Sequence, residues 1–147
     1  MSASMDSASR VISGTHGEAW MDDELCGETL GLQAKVAANK EDVPMCCQFM
    51  VDTKLMSAKG KGTIRFHKVN SRMAVKMSDN LKAGKDTRVK LVSLLNDPDA
   101  YGAERVVIYD ASFDDLTLAD WELAAKGQIE CPFTFTRWDF LDLIQPR

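Results

Sequence analysis

The sequence predicts a mainly β fold, a β-barrel or β-sandwich with one flanking α-helix. Two observations support this prediction. Apolar and polar residues alternate in several short runs, as expected for strands that bury one face, and Gly, Asn, Asp and Pro separate these runs. The apolar spacing of a helix is convincing in one segment, which begins near residue 70.

The composition is typical of a single soluble domain. The chain has 147 residues, of which 45% are hydrophobic and 27% charged, so we expect one core rather than a disordered chain. No apolar run approaches the roughly 20 residues that span a bilayer, and no signal sequence is recognisable, so we expect synthesis in the cytoplasm and no membrane insertion. A net charge of −4 argues against a basic nucleic-acid-binding protein, although it is compatible with a locally basic face.

Three segments differ in character. Residues 1–12 are small and polar, which predicts a flexible N-terminal segment, and residues 13–147 are predicted to form the domain. From about residue 40 to residue 61 the alternation breaks down into apolar clusters set among charges, which predicts an extended, irregular arm. We expect the apolar side chains of this arm to be buried against a neighbouring subunit. They are Met45, Phe49, Met50, Val51, Leu55 and Met56.

Strands are predicted on both sides of the arm. Residues 18–21 and 24–26 flank Asp22-Asp23, the pattern of a hairpin around an acidic turn. The alternation from Thr29 to Ala38 predicts a half-buried strand, and alternation resumes at Gly62–Val69.

The helix is predicted to cover a sheet with one narrow apolar face. Asn70 or Ser71 can cap its first turn, and Gly84 suits a left-handed C-terminal cap. The apolar positions, spaced four residues apart, are Met73, Met77 and Leu81.

Three more strands are predicted towards the C-terminus: Arg88–Leu95, Glu104 to about Leu118, and Gln128–Trp138. Residues 106–109 are all apolar, so we expect that stretch to be covered on both faces. In the last strand, alternate residues from Ile129 to Phe135 are predicted to face the core.

The sequence contains little that predicts catalysis. The two histidines, His16 and His67, occur without a nucleophile or metal-ligand pattern, and the four cysteines match no zinc spacing. Gly60-Lys61-Gly62-Thr63 lacks the spacing of a phosphate-binding loop, and the acids of residues 110–122 lack that of a calcium loop. We therefore expect no enzyme, no cofactor and no metal. A solvated strand edge, or a contact with basic residues of a neighbour, explains the acids better.

The chain resembles the tail tube proteins of contractile phages and PBSX-type defective prophages. Four blocks across residues 12–140 carry the resemblance: Ile12-Ser13-Gly14 through Gly17; Gly60-x-Gly62-Thr63 with Lys68-Val69-x-Ser71; Leu95-x-Asp97 through Gly102-x-Glu104-Arg105-Val106; and Tyr109-Asp110-x-x-Phe113-Asp114 with Pro132-Phe133-Thr134-Phe135.

The resemblance implies a barrel that assembles into hexameric rings. Stacked rings would form the hollow inner tube of a virion tail, through which DNA passes without specific binding. It also implies a tail sheath protein, baseplate proteins and a tail terminator as partners. Two alternatives remain: a tube of a phage-tail-like bacteriocin or type VI secretion system, and, in another class, a monomeric ligand-binding β-barrel.

Physical arguments predict how such a tube would form. Exposed strand edges can continue a sheet into the next subunit, and the arm at 40–61 would stack one ring on the next. The lumen should be polar and should not hold DNA, because tight phosphate binding would slow its passage. Polar strand positions are the lumen candidates, and the sequence does not choose between two sets: Thr63 and Arg65, or Glu130, Thr134 and Thr136.

Overall fold

The computed structural model of the chain describes residues 5–146. Within this range, eight strands form one antiparallel sheet and one α-helix contributes to its core. The strands are β1 (Gly17–Met21), β2 (Glu24–Leu25), β3 (Thr29–Val43), β4 (Asp52–His67), β5 (Arg88–Leu95), β6 (Glu104–Phe113), β7 (Gln128–Phe135) and β8 (Arg137–Asp142). The helix, α1, spans Arg72–Lys82, and short 3-10 turns at Ala8–Arg10 and Gly14–His16 precede β1.

The sheet wraps around a single core. Its hydrogen-bonded order is β2-β1-β5-β6-β7-β4-β3, and β8 pairs with β6 beside this path. Buried residues from β1, β4, β5, β6, β7 and α1 form one apolar cluster, so elements distant in the sheet meet in the same core. The predicted mainly β fold with one flanking helix is confirmed.

The alternating residues of β4 and β7 face the core as predicted, but the prediction of a half-buried strand at Thr29–Ala38 is wrong from Gln33 onward, where both faces of β3 are exposed. Ile64, Phe66 and Phe133 are fully or almost fully buried, and each is one of a series of alternate residues on its strand. Burying a side chain of this size stabilises the fold by about 1.5 to 3 kcal/mol. Val107 and Ile108, adjacent in β6, are both buried, which confirms that this stretch is covered on both faces.

Two predicted strand ends are wrong. The strand from Glu104 ends at Phe113 rather than near Leu118, whose side chain is exposed in the following loop. The predicted last strand, Gln128–Trp138, is two strands, because at Thr136 the pairing partner changes from β4 to β6. Alternation in sequence reports which face a residue takes, and it does not report which strand is the partner.

The helix ends as its sequence predicts. Gly84 has φ of +72°, the N–H of Lys85 donates to the carbonyl of Asn80 at 2.7 Å, and Gly84 N–H donates to Leu81 at 3.1 Å. These two bonds form a Schellman motif. At the start, the Asn70 side chain accepts from the backbone N–H of Arg72 at 3.1 Å. The helix has 11 residues, and none within residues 5–146 is long and apolar enough to cross a membrane.

Only part of the predicted apolar face of the helix is buried. Met73 and Met77 belong to the core, but Leu81 is 49% exposed, so its predicted contact with the sheet is wrong. Residues four apart on a helix advance by about 40° beyond a full turn. Leu81 is therefore rotated about 80° from Met73, away from the buried side.

The described part of the N-terminal segment contacts the turn between β5 and β6. Asp6 accepts from the Tyr101 hydroxyl at 2.8 Å, and the Arg10 guanidinium donates to the Asp99 carbonyl at 3.0 Å. Residues 1–4 lie outside the described residues, and the flexibility of residues 1–12 stays a prediction.

A buried carboxylate joins two of the sequence blocks that carry the family resemblance. Asp97 is 6% exposed and accepts from the backbone N–H groups of Ser13 and Asp99, both at 2.9 Å. These hydrogen bonds, the one from Ser13 first, lower the pKa of Asp97. The hydrogen bond from Ser13 to Asp97 therefore links the block at residues 12–17 to the block at residues 95–106.

An ion pair connects Arg72, in the first turn of α1, with Glu28, which lies just before β3. Arg72 Nε donates to Glu28 Oε1 at 2.7 Å, and both side chains are largely buried. Mainly because of this hydrogen bond, the pKa of the Glu28 carboxyl lies below its usual value. A carboxyl whose pKa is lowered in the folded state stabilises the protein above its unfolded pKa, and that contribution is lost as the pH falls through its folded pKa.

Arg72→Gln should therefore lower the free energy of unfolding at pH 7 by about 1.5 to 3 kcal/mol, the usual range for a hydrogen bond to a charged group. The difference from the parent protein should shrink as the pH falls through the lowered pKa of Glu28, because protonation removes the charge that Arg72 contacts. Urea unfolding at pH 7 and at pH 3 measures this, with Lys82→Gln, which removes an exposed charge from the last turn of the helix, as the control. A difference that is the same at both pH values would contradict the assignment.

Candidate assembly surface

The predicted irregular arm is part of a regular β-hairpin. Strands β3 and β4 pair from Thr29↔Phe66 to Val43↔Asp52, with a bulge between Asn39 and Lys40. We call the part beyond the bulge, residues 40–56, the hairpin arm. All its side chains are exposed. With neither face buried, no alternation of apolar and polar residues is required, and this is why the sequence did not predict its strands.

The hairpin arm exposes an unusual amount of apolar surface. Phe49 is 98% exposed and Met50 72% exposed, and neither belongs to the core. Exposed apolar patches larger than a few hundred Å² are rare on monomeric proteins and are typical of interaction sites. The structure brings all six predicted arm residues together in this exposed segment: Met45, Phe49, Met50, Val51, Leu55 and Met56.

The tip of the hairpin arm is a tight turn. The N–H of Gln48 donates to the carbonyl of Met45 at 3.3 Å, and Cys47 adopts a left-handed backbone conformation with φ of +63°. The Sγ atoms of Cys46 and Cys47 are 3.6 Å apart and both thiols are free and exposed. The hydrogen bond of this turn therefore forms within the tip itself.

Two further exposed apolar segments were not predicted from the sequence to be interaction sites. The loop between β6 and β7 exposes Trp121 and Leu123 by more than four-fifths, and β8 leaves Trp138 and Phe140 half exposed. The exposure of Trp121 excludes it from the core of its own subunit. Residues in a loop carry no periodic signal, so only the structure shows that this side chain is exposed.

Free strand edges lie beside these apolar surfaces. Strand β3 is the last strand of the hydrogen-bonded path, and β8 pairs only with β6 among the strands of residues 5–146. Each therefore presents an edge of unpaired N–H and C=O groups that another strand can extend.

The two sets of predicted lumen residues share one face. The register pairs Thr63 with Pro132 and Arg65 with Glu130, and these positions alternate with the buried Ile64. Thr134, opposite Lys61, continues the same face, and Thr136 is exposed just beyond β7. We call the side of β3, β4 and β7 opposite the core the polar face.

The sequence did not single out three lysines on the polar face. Lys35 is directly opposite Lys61 in the register, and Lys59 lies two residues before Lys61. The pairing of β3 with β4 shows that Lys35 lies beside Lys61, and alternation of residues along one strand does not specify this proximity.

Comparison with known proteins identifies the family. A family model described as phage tail tube protein matches residues 4–142. The chain belongs to the phage tail tube protein family. It is also 34% identical over 134 residues to the phage-like element PBSX protein XkdM of Bacillus subtilis strain 168, a match that covers 90% of this chain and 91% of XkdM.

Solved structures agree with this assignment. A Bacillus subtilis protein of known structure is 34% identical, with a TM-score of 0.52, and the match covers 92% of this chain and 98% of that one. The fold is also similar to a chain of the PVC sheath–tube complex, from an extracellular contractile injection system in the extended state. That chain has a TM-score of 0.71 at 9% identity, and the match covers 96% of this tail tube protein and 100% of that chain.

Membership of the family indicates the kind of particle in which the exposed surfaces described above occur. As a tail tube protein, the chain is a structural component of a phage-like particle. Its exposed apolar segments are not covered by the core of its own subunit. Within residues 5–146, no group of three or more His, Cys, Asp and Glu side chains is placed to hold a metal ion.

Proposed function

We propose that this tail tube protein assembles into hexameric rings, which stack to form the inner tube of a contractile phage tail and a conduit for DNA ejection. The observation that carries the proposal is the hairpin arm, which is ordered, exposes its apolar side chains, and contributes nothing to the core of its own subunit. Its role is structural rather than enzymatic.

Within a ring, we propose that the free edges of β3 and β8 pair with neighbouring subunits. A closed ring needs heterologous contacts, in which one patch meets a different patch on the next copy. The edges of β3 and β8 are two such different patches, since they belong to different parts of the sheet. Their pairing would continue the sheet around the ring.

Between rings, we propose that the hairpin arm buries Phe49, Met50, Leu55 and Met56 against the adjacent ring, with the N-terminal segment contributing on assembly. Removing apolar surface from water is worth about 25 cal/mol per Å², so even a narrow contact repeated by every subunit stabilises a stack. The polar face would then line the lumen.

The proposed partners are a tail sheath protein around the tube, baseplate proteins at one end and a terminator at the other. Fold similarity extends to a chain in the structure of the PVC sheath/tube terminator and to a chain in the structure of the anti-feeding prophage baseplate, with TM-scores of 0.68 and 0.60. We propose that the protein is made in the host cytoplasm and resides in the virion tail. Because PVC is an injection system, a phage-tail-like particle is the second candidate.

Size-exclusion chromatography and negative-stain electron microscopy of the purified chain, at increasing concentration, test the proposal. Rings or tubes are the expected result, because the exposed apolar arm favours association. A monomer that persists at high concentration would contradict it and favour the monomeric ligand-binding barrel. DNA inside particles purified from cells would distinguish a phage from a phage-tail-like particle.

A further inference from the structure

We infer that the polar face binds the phosphate backbone of double-stranded DNA, through Lys35, Lys59, Lys61 and Arg65. The position of this face in the lumen rests on the proposed function, whereas its affinity for DNA is a property of the single chain. The net charge of the whole chain is −4, so a basic face is a departure from the average surface.

The basic side chains are concentrated by the strand register. Lys35 and Lys61 are directly opposite each other on β3 and β4, and Lys59 is opposite Ala37 on the same face. Residues opposite each other across two strands have Cβ atoms about 5 Å apart, and like charges there destabilise a sheet. The repulsion between Lys35 and Lys61 lowers the stability of the folded subunit. This cost indicates that a partner outside the subunit neutralises the two charges.

None of these four side chains is neutralised by an ion pair within residues 5–146, whereas Arg72, Lys76 and Lys90 on the helix side are paired with acids. Among residues 33–39, 57–67 and 128–134, Glu130 is the one carboxylate. Outside the hairpin arm, the face therefore has four positive charges and one negative charge per subunit.

The local packing also accommodates the arginine. A Cβ atom on Gly31 would lie 2.6 Å from a guanidinium nitrogen of Arg65, so glycine at this position leaves room for the Arg65 side chain across β3. This places Arg65 beside the lysines of the same face. Residues two apart on a strand are separated by about 6.6 Å, which lets Lys59 and Lys61 contact different phosphates.

A second copy of the chain is the other possible occupant, since the loop between β6 and β7 is acidic. That loop, however, exposes Leu118, Trp121 and Leu123 by more than four-fifths each, and their burial requires an apolar partner. The polar face offers lysine, glutamine and threonine instead. A linear polyanion matches its charge better.

A lumen that binds DNA differs from the lumen expected from the sequence, which does not hold DNA. Contacts with phosphates alone are independent of sequence, and they let DNA slide along a protein. A basic face on every subunit is therefore compatible with a conduit: it would hold DNA in the tube while allowing it to move.

Fluorescence anisotropy tests the inference, with the full chain kept below the concentration at which it assembles and a labelled 20-base-pair duplex as the probe. The test variant is Lys35→Gln/Lys59→Gln/Lys61→Gln. The control, Lys82→Gln/Lys85→Gln/Lys126→Gln, removes the same charge from exposed positions away from the polar face. Between 50 and 200 mM salt, each phosphate contact contributes roughly 0.9 to the slope of log K against log salt.

The expected result is a slope reduced by up to about 2.7 in the test variant, with affinity lowered at least tenfold, and little change in the control. Equal losses in both variants, or no binding by the parent chain at 50 mM salt, would overturn the inference. Weaker self-association of the test variant with unchanged DNA binding would instead assign the face to a second copy. Electron microscopy of the parent chain tests the proposed tube separately, because tubes can form whether or not the polar face binds DNA.

Discussion

Replacing residues 40–56 by an Asn-Gly turn is expected to give a folded subunit that forms no tubes. Asn39 and Ser57 are directly opposite each other in the register, and a two-residue Asn-Gly turn suits the twist of such strands. The core contains no residue of the hairpin arm, so the free energy of unfolding should change by less than about 1 kcal/mol. Urea unfolding and negative-stain electron microscopy measure the two effects.

A pair of point variants separates the apolar contact from the length of the arm. Phe49→Ser/Met50→Ser keeps the hairpin but removes its most exposed apolar groups, and tubes should be lost or become short. Glu41→Gln/Asp52→Asn changes two exposed acids of the same arm and should leave tubes intact. Tubes of normal length from the deletion variant would show that rings stack through another surface.

The core could be predicted because burial imposes a period on the sequence. Ile64 and Phe66, and the alternate residues from Cys131 to Phe135, face the core as predicted, because one side of each strand is buried. Prediction from alternation fails where a strand has no buried face or where its pairing partner changes. In the hairpin arm both faces are exposed, and at Thr136 the alternation continues while the pairing partner changes.

The candidate assembly surface was predicted in parts rather than as a whole. The six apolar arm residues were identified because no core position suited them, and the structure places all of them on the exposed arm. The polar face required the register. Lys35 and Lys61 are 26 positions apart in sequence, and their proximity depends on pairing that the spacing of apolar residues does not specify.

Phe133→Ala is expected to destabilise the subunit by about 3 to 5 kcal/mol, the usual cost of removing a buried phenyl ring. Phe133 is 0% exposed, and its ring centroid lies 6.0 Å from that of Phe113 and 6.1 Å from that of Phe135. A Cβ atom on Gly62 would lie 2.4 Å from the ring, so the ring fills the space over that glycine and its loss leaves a cavity. Urea unfolding at neutral pH measures the change.

Phe49→Ala is the matched control, because it removes the same ring from a position that is 98% exposed. It should change the free energy of unfolding by less than about 0.5 kcal/mol while weakening tube formation. Phe133→Ala should lower stability first and reduce tubes only in proportion to the folded fraction. If Phe49→Ala unfolds the subunit, or if Phe133→Ala is as stable as the parent, folding and assembly do not depend on separate residues as the structure indicates.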